Sequence, residues 1–458
     1  MNQLGPTLRA GQTASAFAAR TSRSSHTSPL ILSFLIAICL PPTIATYAGP
    51  LLITPYRLYM IVLLPYLLFR LFADRTLRAG PADLLVMFYG GWTAFCLLRN
   101  LPTAGVQRAG QTLLETVGAY LLARVAIRSM ADLFYLVKLL FAISMIAFAL
   151  CIPEAITYKK FVLDWTSDIT GMPYVTYFAG TDIRMGLRRP QAFFASPILY
   201  GLFCASAISL IWYATRSTTI RLVKTALLAA AAFLALSSGP LLAVNVQILM
   251  IIGERLTRNV KQRSAIAILI TVILTVLLDL TTNSGVTGII VNHLTFNSDS
   301  AFNRILIWQW GTYNIMLHPF LGLDPDNWIR PSYMKPSCDD FWIAITMTGG
   351  LPCLAFLVGS MGIWLWKIGH LSVSNLPKYY ADFRRGWLFS FLAFAFTGFS
   401  VFFFGALQPF FFFTLGSAGA LVVVYEREAA KAGPAVSRRS VKPNSPGRLY
   451  QVRPVTNL

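Results

Sequence analysis

DFWIAITMTGGLPCLAFLVGSMGIWLW, residues 340–366, carries a single charge, at its first position. A hydrocarbon core about 30 Å thick needs roughly 20 apolar residues in an α-helix, so this run is long enough to cross it. Runs of the same kind recur near 30–46, 48–69, 81–98, 110–127, 133–153, 192–214, 222–236, 239–253, 264–280, 387–405 and 409–425, twelve in all. The chain of 458 residues is 56% hydrophobic and 12% charged, with a mean hydropathy of +0.61. A soluble domain carries about a quarter charged residues. A soluble enzyme, a secreted disulfide scaffold and a disordered chain are therefore excluded. The expected class is an all-α polytopic membrane protein of about twelve transmembrane helices.

Charge orients the helices. Lys and Arg number 38 against 18 Asp and Glu, a net +20. With the N-terminus placed in the cytoplasm, alternating loops put 27 of the 38 basic residues and seven acidic ones on the inner face. Eleven of each fall on the outer side, which is neutral. The whole excess is an inside-positive orientation signal and needs no nucleic acid to explain it. A basic segment 1–29 and a Pro/Gly/Ser/Arg-rich tail 427–458, expected to be disordered, then lie in the cytoplasm on either side of a transmembrane domain at 30–426. The leader before the first run is long for a signal peptide, so that run is read as a retained helix. Six cysteines form no CxxC or pairing framework and read as small apolar residues. No Walker loop, HExxH or dinucleotide fingerprint occurs, and neither a cofactor nor a metal is expected.

Two loops are long, 154–191 and 281–339, and both face outward. Loops of that length in a compact protein are functional or disordered. The second holds Trp308, Trp310, Tyr313, Phe320, Trp328 and Tyr333 and has helical spacing at 301–317, which predicts a folded cap. Its polar residues, with those ending the first loop, are Arg184, Arg188, Arg189, Arg304, His318, Asp324, Asp326, Arg330, Asp339 and Asp340. Arginine is preferred over lysine where planar, bidentate contact to phosphate is needed. Several arginines and a carboxylate pair suit an anionic, lipid-linked substrate: the arginines neutralise a diphosphate and a carboxylate takes the proton of an incoming hydroxyl.

RRPQAFFASPILYG (188–201) resembles the Arg-x-x-(Gly)-Phe-x-x-Pro stretch of the O-antigen polymerase and ligase family. ALSSGPLLA (235–243) resembles that family's Ser-(Arg)-Gly turn, with Ser238 where the family has Arg. FNRILIWQWGTYNIMLHPFLGLDPDNW (302–328) is similar to the Arg-x-x-x-Trp and His-Pro-x-x-Gly signature of its large periplasmic loop. SCDDFWIAITMTGGLP (337–352) looks like the exit of that loop into the membrane. The resemblance covers 184–366 and implies a GT-C-like, lipid-diphosphate-dependent glycosyltransferase of the bacterial inner membrane. Such an enzyme transfers an undecaprenyl-diphosphate-linked oligosaccharide to a sugar hydroxyl among membrane lipids, beside a flippase and a chain-length regulator. Family ligases carry a His-Asn pair where this chain has Asp339-Asp340. The base role passes to Asp339, and the missing His favours a polymerase over a ligase to lipid A-core. Arg184, Arg188, Arg189, Arg304 and Arg330 are the expected diphosphate ligands, with Asp339, Asp340 and His318 catalytic.

Each residue has a plainer reading. Arg188 and Arg189 suit snorkelling to headgroups. Arg304 could pair with Asp299 or Asp326. His318, before Pro319, suits a helix C-terminus. Either aspartate could N-cap the run that follows, with capping and catalysis divided between them. Glu115, inside the fourth run, is either paired with Gln111 or an arginine, or a functional carboxylate. It is also the best argument for a rival class, a lipid-linked oligosaccharide flippase or proton-coupled transporter. The aromatic runs 402–404 and 410–413 read as packing or lipid-facing residues rather than a sugar platform.

Overall fold

A computed structural model describes residues 28–48, 51–74, 77, 79–174, 183–257, 298–334 and 337–432. The expected span at 264–280, nearly all of the basic leader and most of the tail lie outside the described residues.

The described chain is almost entirely helical. In order, the elements are α1 (Pro29–Cys39), a hairpin of β1 (Thr46–Ala48) and β2 (Leu51–Ile53), α2 (Pro55–Ala73), α3 (Pro81–Asn100), α4 (Gly105–Leu113), a π turn (Leu114–Gly118), α5 (Ala119–Ala126), α6 (Met130–Thr157) and α7 (Phe161–Thr170). A second hairpin follows, β3 (Ile183–Arg184) with β4 (Leu187–Arg188). Then come α8 (Pro197–Ser206), α9 (Ile208–Ala214), α10 (Thr218–Leu234), α11 (Ser238–Leu256), α12 (Ser298–Leu317), α13 (Phe341–His370), α14 (Lys378–Thr397) and α15 (Leu407–Ala432). Starts are set by side-chain caps. Ser129 accepts the Asp132 N–H in a capping box that opens α6, and Ser196 accepts the Leu199 N–H ahead of Pro197 in α8.

Six helices among the described residues are long and apolar enough to cross a membrane: α3, α6, the α8–α9 unit, α11, α13 and α15. This is an all-α membrane protein, but the described residues hold six such helices where eleven of the twelve expected runs fall. The run at 30–46 yields only the 11 residues of α1, because Leu40-Pro41-Pro42 ends it. The run at 110–127 lies in helical backbone that continues from α4 through the π turn into α5, and that at 222–236 gives the 17 residues of α10.

One apolar cluster runs from α1 to α15. α13 packs along α3, α15 along α5, and α14 along α9 and α11. Phe410, Phe411, Phe412 and Phe413 are all buried, and the Phe411 ring centroid lies 5.0 Å from that of Phe403 and 5.5 Å from Phe341 and Phe394. This run packs inward and does not face lipid. Between spanning helices such rings hold by dispersion and close fit, since lipid tails are as apolar as they are.

The stretch 340–366 is not one straight helix. Gly350 breaks it at φ 71°, ψ −176°. The segment after α12 fills the break: the Leu351 N–H donates to Pro319 O and the Leu323 N–H to Met347 O, both at 2.7 Å. The Trp92 indole donates to Gly349 O at 2.8 Å. Non-helical backbone is tolerated at such a place because protein supplies the missing partners. The cap has its own small core, Leu306, Ile307, Ile315 and Trp328 against Ile343 and Met347 of α13. Asn314 staples it by a reciprocal pair of hydrogen bonds with the Ile329 backbone, at 2.8 and 2.9 Å.

Candidate functional site

Three of the expected arginines converge on one turn. Residues 235–237 join α10 to α11, and Leu236 sits there at φ 47°, in the left-handed region. Arg184, from β3, donates to Leu236 O at 2.8 Å. Arg189 donates through Nε to Ala235 O at 3.4 Å. Arg304, from α12, donates through Nη2 to Ser238 Oγ at 2.8 Å. Ser238, where the resembling family has an arginine, accepts instead from an arginine of another helix.

The segment bearing Arg189 is itself anchored. Glu154, at the end of α6, accepts the backbone N–H groups of Gln191 and Ala192 at 3.0 and 2.9 Å. The Lys160 ammonium reaches Gln191 Oε1 at 2.8 Å. Both charged residues are buried, and Ala192 is held at φ 49°. Sequence reading singled out neither Glu154 nor Lys160. The only signal is a carboxylate directly after the apolar run 133–153.

The two aspartates divide their work. Asp340 is buried, and its Oδ1 accepts the Ile343 N–H at 2.9 Å as the N-cap of α13. Burial pushes its carboxyl up from 3.8 to about 6, against the pull of the Ile343 and Trp342 N–H groups. Asp339 is exposed and lines the cavity described below; Asp340 does not. Burial pulls the Arg304 guanidinium below its ordinary value; the charge of Asp339 opposes this and that of Arg184 adds to it. Arg304, Arg184 and Asp339 therefore share one electrostatic neighbourhood.

The Asp340 shift has a testable sign. The folded state binds this proton more tightly, so its stabilising effect is complete below about pH 4, is lost as pH rises to about 6 and stays lost above. The ionised form costs about 3 kcal/mol at pH 7. Asp340→Asn keeps a capping oxygen and removes the charge. It should melt about 3 °C above the wild type at pH 7.5 and together with it at pH 4. Identical differences at both pH values would contradict this.

Three expected site residues lie elsewhere. His318 is exposed at the end of α12, its backbone N–H bonded to Asn314 O and Ile315 O, and it is not part of the cavity wall. Arg188 donates to Tyr158 O, because its place in β4 points it away from the Arg189 side. Arg330 lies over the Trp328 ring at 5.6 Å, a cation–π contact within the cap.

A cavity of about 1040 Å³ gathers the rest. Its wall includes Arg184, Arg189, Arg304 and Asp339 with Ser237 and Ser238. It also includes two ion pairs. Arg57 Nε meets Glu115 Oε1 at 2.8 Å, and Arg108 pairs with Asp326. The partner of Glu115 is thus an arginine of α2, and Asp326 serves Arg108 rather than Arg304. Phe402 and Phe404 line the cavity too, a placement composition did not signal. Five arginines and three carboxylates leave this wall at a formal +2, the charge opposite to a disubstituted diphosphate at neutral pH. Among the described residues no three His, Cys, Asp or Glu side chains are grouped to hold a metal ion.

Fold and site together define an all-α membrane protein with an arginine-lined cavity. No protein-family model matches the chain, and no curated protein matches it.

Proposed function

We propose that the protein is a lipid-diphosphate-dependent glycosyltransferase that joins undecaprenyl-diphosphate-linked glycan units on the periplasmic face of the bacterial inner membrane. The observation that carries this reading is the convergence of Arg184, Arg189 and Arg304 on one turn, in a cavity that also holds Asp339. In this mechanism the three arginines bind the diphosphate and stabilise it as it leaves. Asp339 takes the proton of the acceptor hydroxyl, whose oxygen displaces the diphosphate from the sugar carbon in a single inverting step. The feature of the sequence that supports this reading is the resemblance of 184–366 to the motifs of the O-antigen polymerase and ligase family. The Asp339-Asp340 sequence favours polymerase over ligase.

The pair of buried Glu115 with half-buried Arg57 gives a second reading, a transporter of lipid-linked oligosaccharide or a proton-coupled carrier, some support. A deletion strain complemented with Arg189→Ala or Asp339→Asn separates them. Loss of polymerisation leaves single repeat units on the lipid, whereas a ligase lesion leaves long chains unattached. Full complementation by both variants would remove the site assignment. Reconstituted vesicles that move lipid-linked glycan without joining it would favour the transporter.

A further inference from the structure

The cavity has a second polar wall that the arginine cluster does not use. Arg108, Gln111, Thr112 and Glu115 follow one another at spacings of three, one and three residues along α4 and into the π turn, and all four line the cavity. Residues so spaced share one face of a helix. Glu115 sits within the π turn itself, and such wide turns concentrate at functional sites. It is buried, yet both of its hydrogen bonds, from Tyr56 Oη at 3.0 Å and Arg57 Nε at 2.8 Å, end on Oε1.

Charge decides what this wall can hold. Arg57 is matched by Glu115 and Arg108 by Asp326, so the wall is formally neutral. An anion gains little there, in contrast to the neighbouring wall, where three arginines meet one aspartate. A polyhydroxyl ring uses what the neutral wall offers: carboxylate acceptors, guanidinium donors, and a Gln amide and Thr hydroxyl that do both. We propose that the Arg108–Gln111–Thr112–Glu115 face is a subsite for a neutral sugar, the acceptor end of the glycan. This rests on the transferase reading. It gives the cavity two halves, an anionic donor group at the turn 235–238 and a neutral acceptor ring at α4.

The test uses the full-length protein in lipid nanodiscs and two kinds of probe. Inorganic pyrophosphate reports the arginine wall through ³¹P line broadening. The methyl glycosides of glucose, galactose, mannose, rhamnose and N-acetylglucosamine report the second wall through saturation-transfer NMR. At least one glycoside should bind the wild type. Glu115→Gln and Gln111→Leu should each weaken it about tenfold, the worth of one hydrogen bond to a charged or buried partner. Pyrophosphate binding should stay within about twofold in both, and should be lost in Arg189→Ala. Gln111 is only half-buried and lies outside the Arg57–Glu115 pair, so that variant decides the matter if Glu115→Gln fails to fold. The proposal is overturned if no glycoside binds the wild type, or if binding survives both substitutions. Absence of pyrophosphate binding in the wild type strikes at the transferase reading instead, since the glycoside experiment does not depend on it.

Discussion

Gly350→Ala should prevent the folded protein from accumulating in the membrane. At φ 71° and ψ −176° this residue occupies backbone space that is essentially reserved for glycine. The conformation alone costs an L-residue about 1–3 kcal/mol. A Cβ there would also lie 2.6 Å from Pro319 O and closer still to Phe320 O. Both obstacles are backbone, and neither can retreat. Pro319 O is held by the Leu351 N–H, and the same loop is tied four residues later by Leu323 to Met347. The strain and the clash together should exceed about 4 kcal/mol, a large share of the 5–15 kcal/mol by which folded domains are stable. Gly362→Ala is the control: it lies on the same helix with nothing within 4 Å of the added carbon, and should be neutral or mildly stabilising. Yield and monodispersity by fluorescence-detected size exclusion, with melting temperature for whatever survives, compare the two. Equal behaviour would show that the break in α13 is not fixed by this glycine.

That break also marks where sequence reading stops. Residues 341–366 carry no charge and are mostly apolar, and hydropathy sees a single span. Gly349-Gly350 ends the helix only because the loop 318–323 arrives to take the freed donor and acceptor, and that contact is tertiary. The same limit explains the other differences. The arginine-rich ends of the two long loops are visible in sequence because arginine next to an apolar run is conspicuous, and the structure brings Arg184, Arg189, Arg304 and Asp339 to one cavity. Which of several neighbouring arginines turns inward is set by strand register: Arg188, in β4, reaches Tyr158 while Arg189 reaches Ala235. Capping chemistry was available for Asp339-Asp340, and could not say which of the two was the cap. Glu115 was conspicuous as a carboxylate in an apolar run, but its arginine lies 58 residues away on another helix. Glu154 holds a backbone turn 37 and 38 residues downstream, a role that leaves no local pattern.

If the protein is the glycosyltransferase proposed above, Asp339→Asn and Arg304→Gln should each reduce glycan transfer by at least about a hundredfold, and the double variant should recover none of it. The prediction turns on what Asp339 does for Arg304. Arg304 is half-buried, and the aspartate's charge helps to keep it protonated while Arg184 works against it. If Asp339 only balances the arginine cluster, removing one charge of each sign restores neutrality, and Arg304→Gln/Asp339→Asn should approach wild-type rates. If Asp339 takes the acceptor proton and Arg304 holds the diphosphate, the two losses arise from different atoms of one transition state. Loss of a positioned base costs about 10²–10⁴-fold and loss of one donor to a developing anion about 10²–10³-fold. The double variant is then no faster than the slower single variant. Transfer from a short-chain polyprenyl-diphosphate glycan by purified protein in nanodiscs gives the rates, and a double-mutant cycle gives the coupling. Arg304→Lys sharpens the result. A lysine keeps the charge but cannot bond Ser238 and grip a phosphate in one plane, as the Arg304 guanidinium is placed to do from α12. It should therefore retain pyrophosphate binding within about tenfold while transfer falls further, whereas a purely electrostatic role for Arg304 would leave both close to wild type.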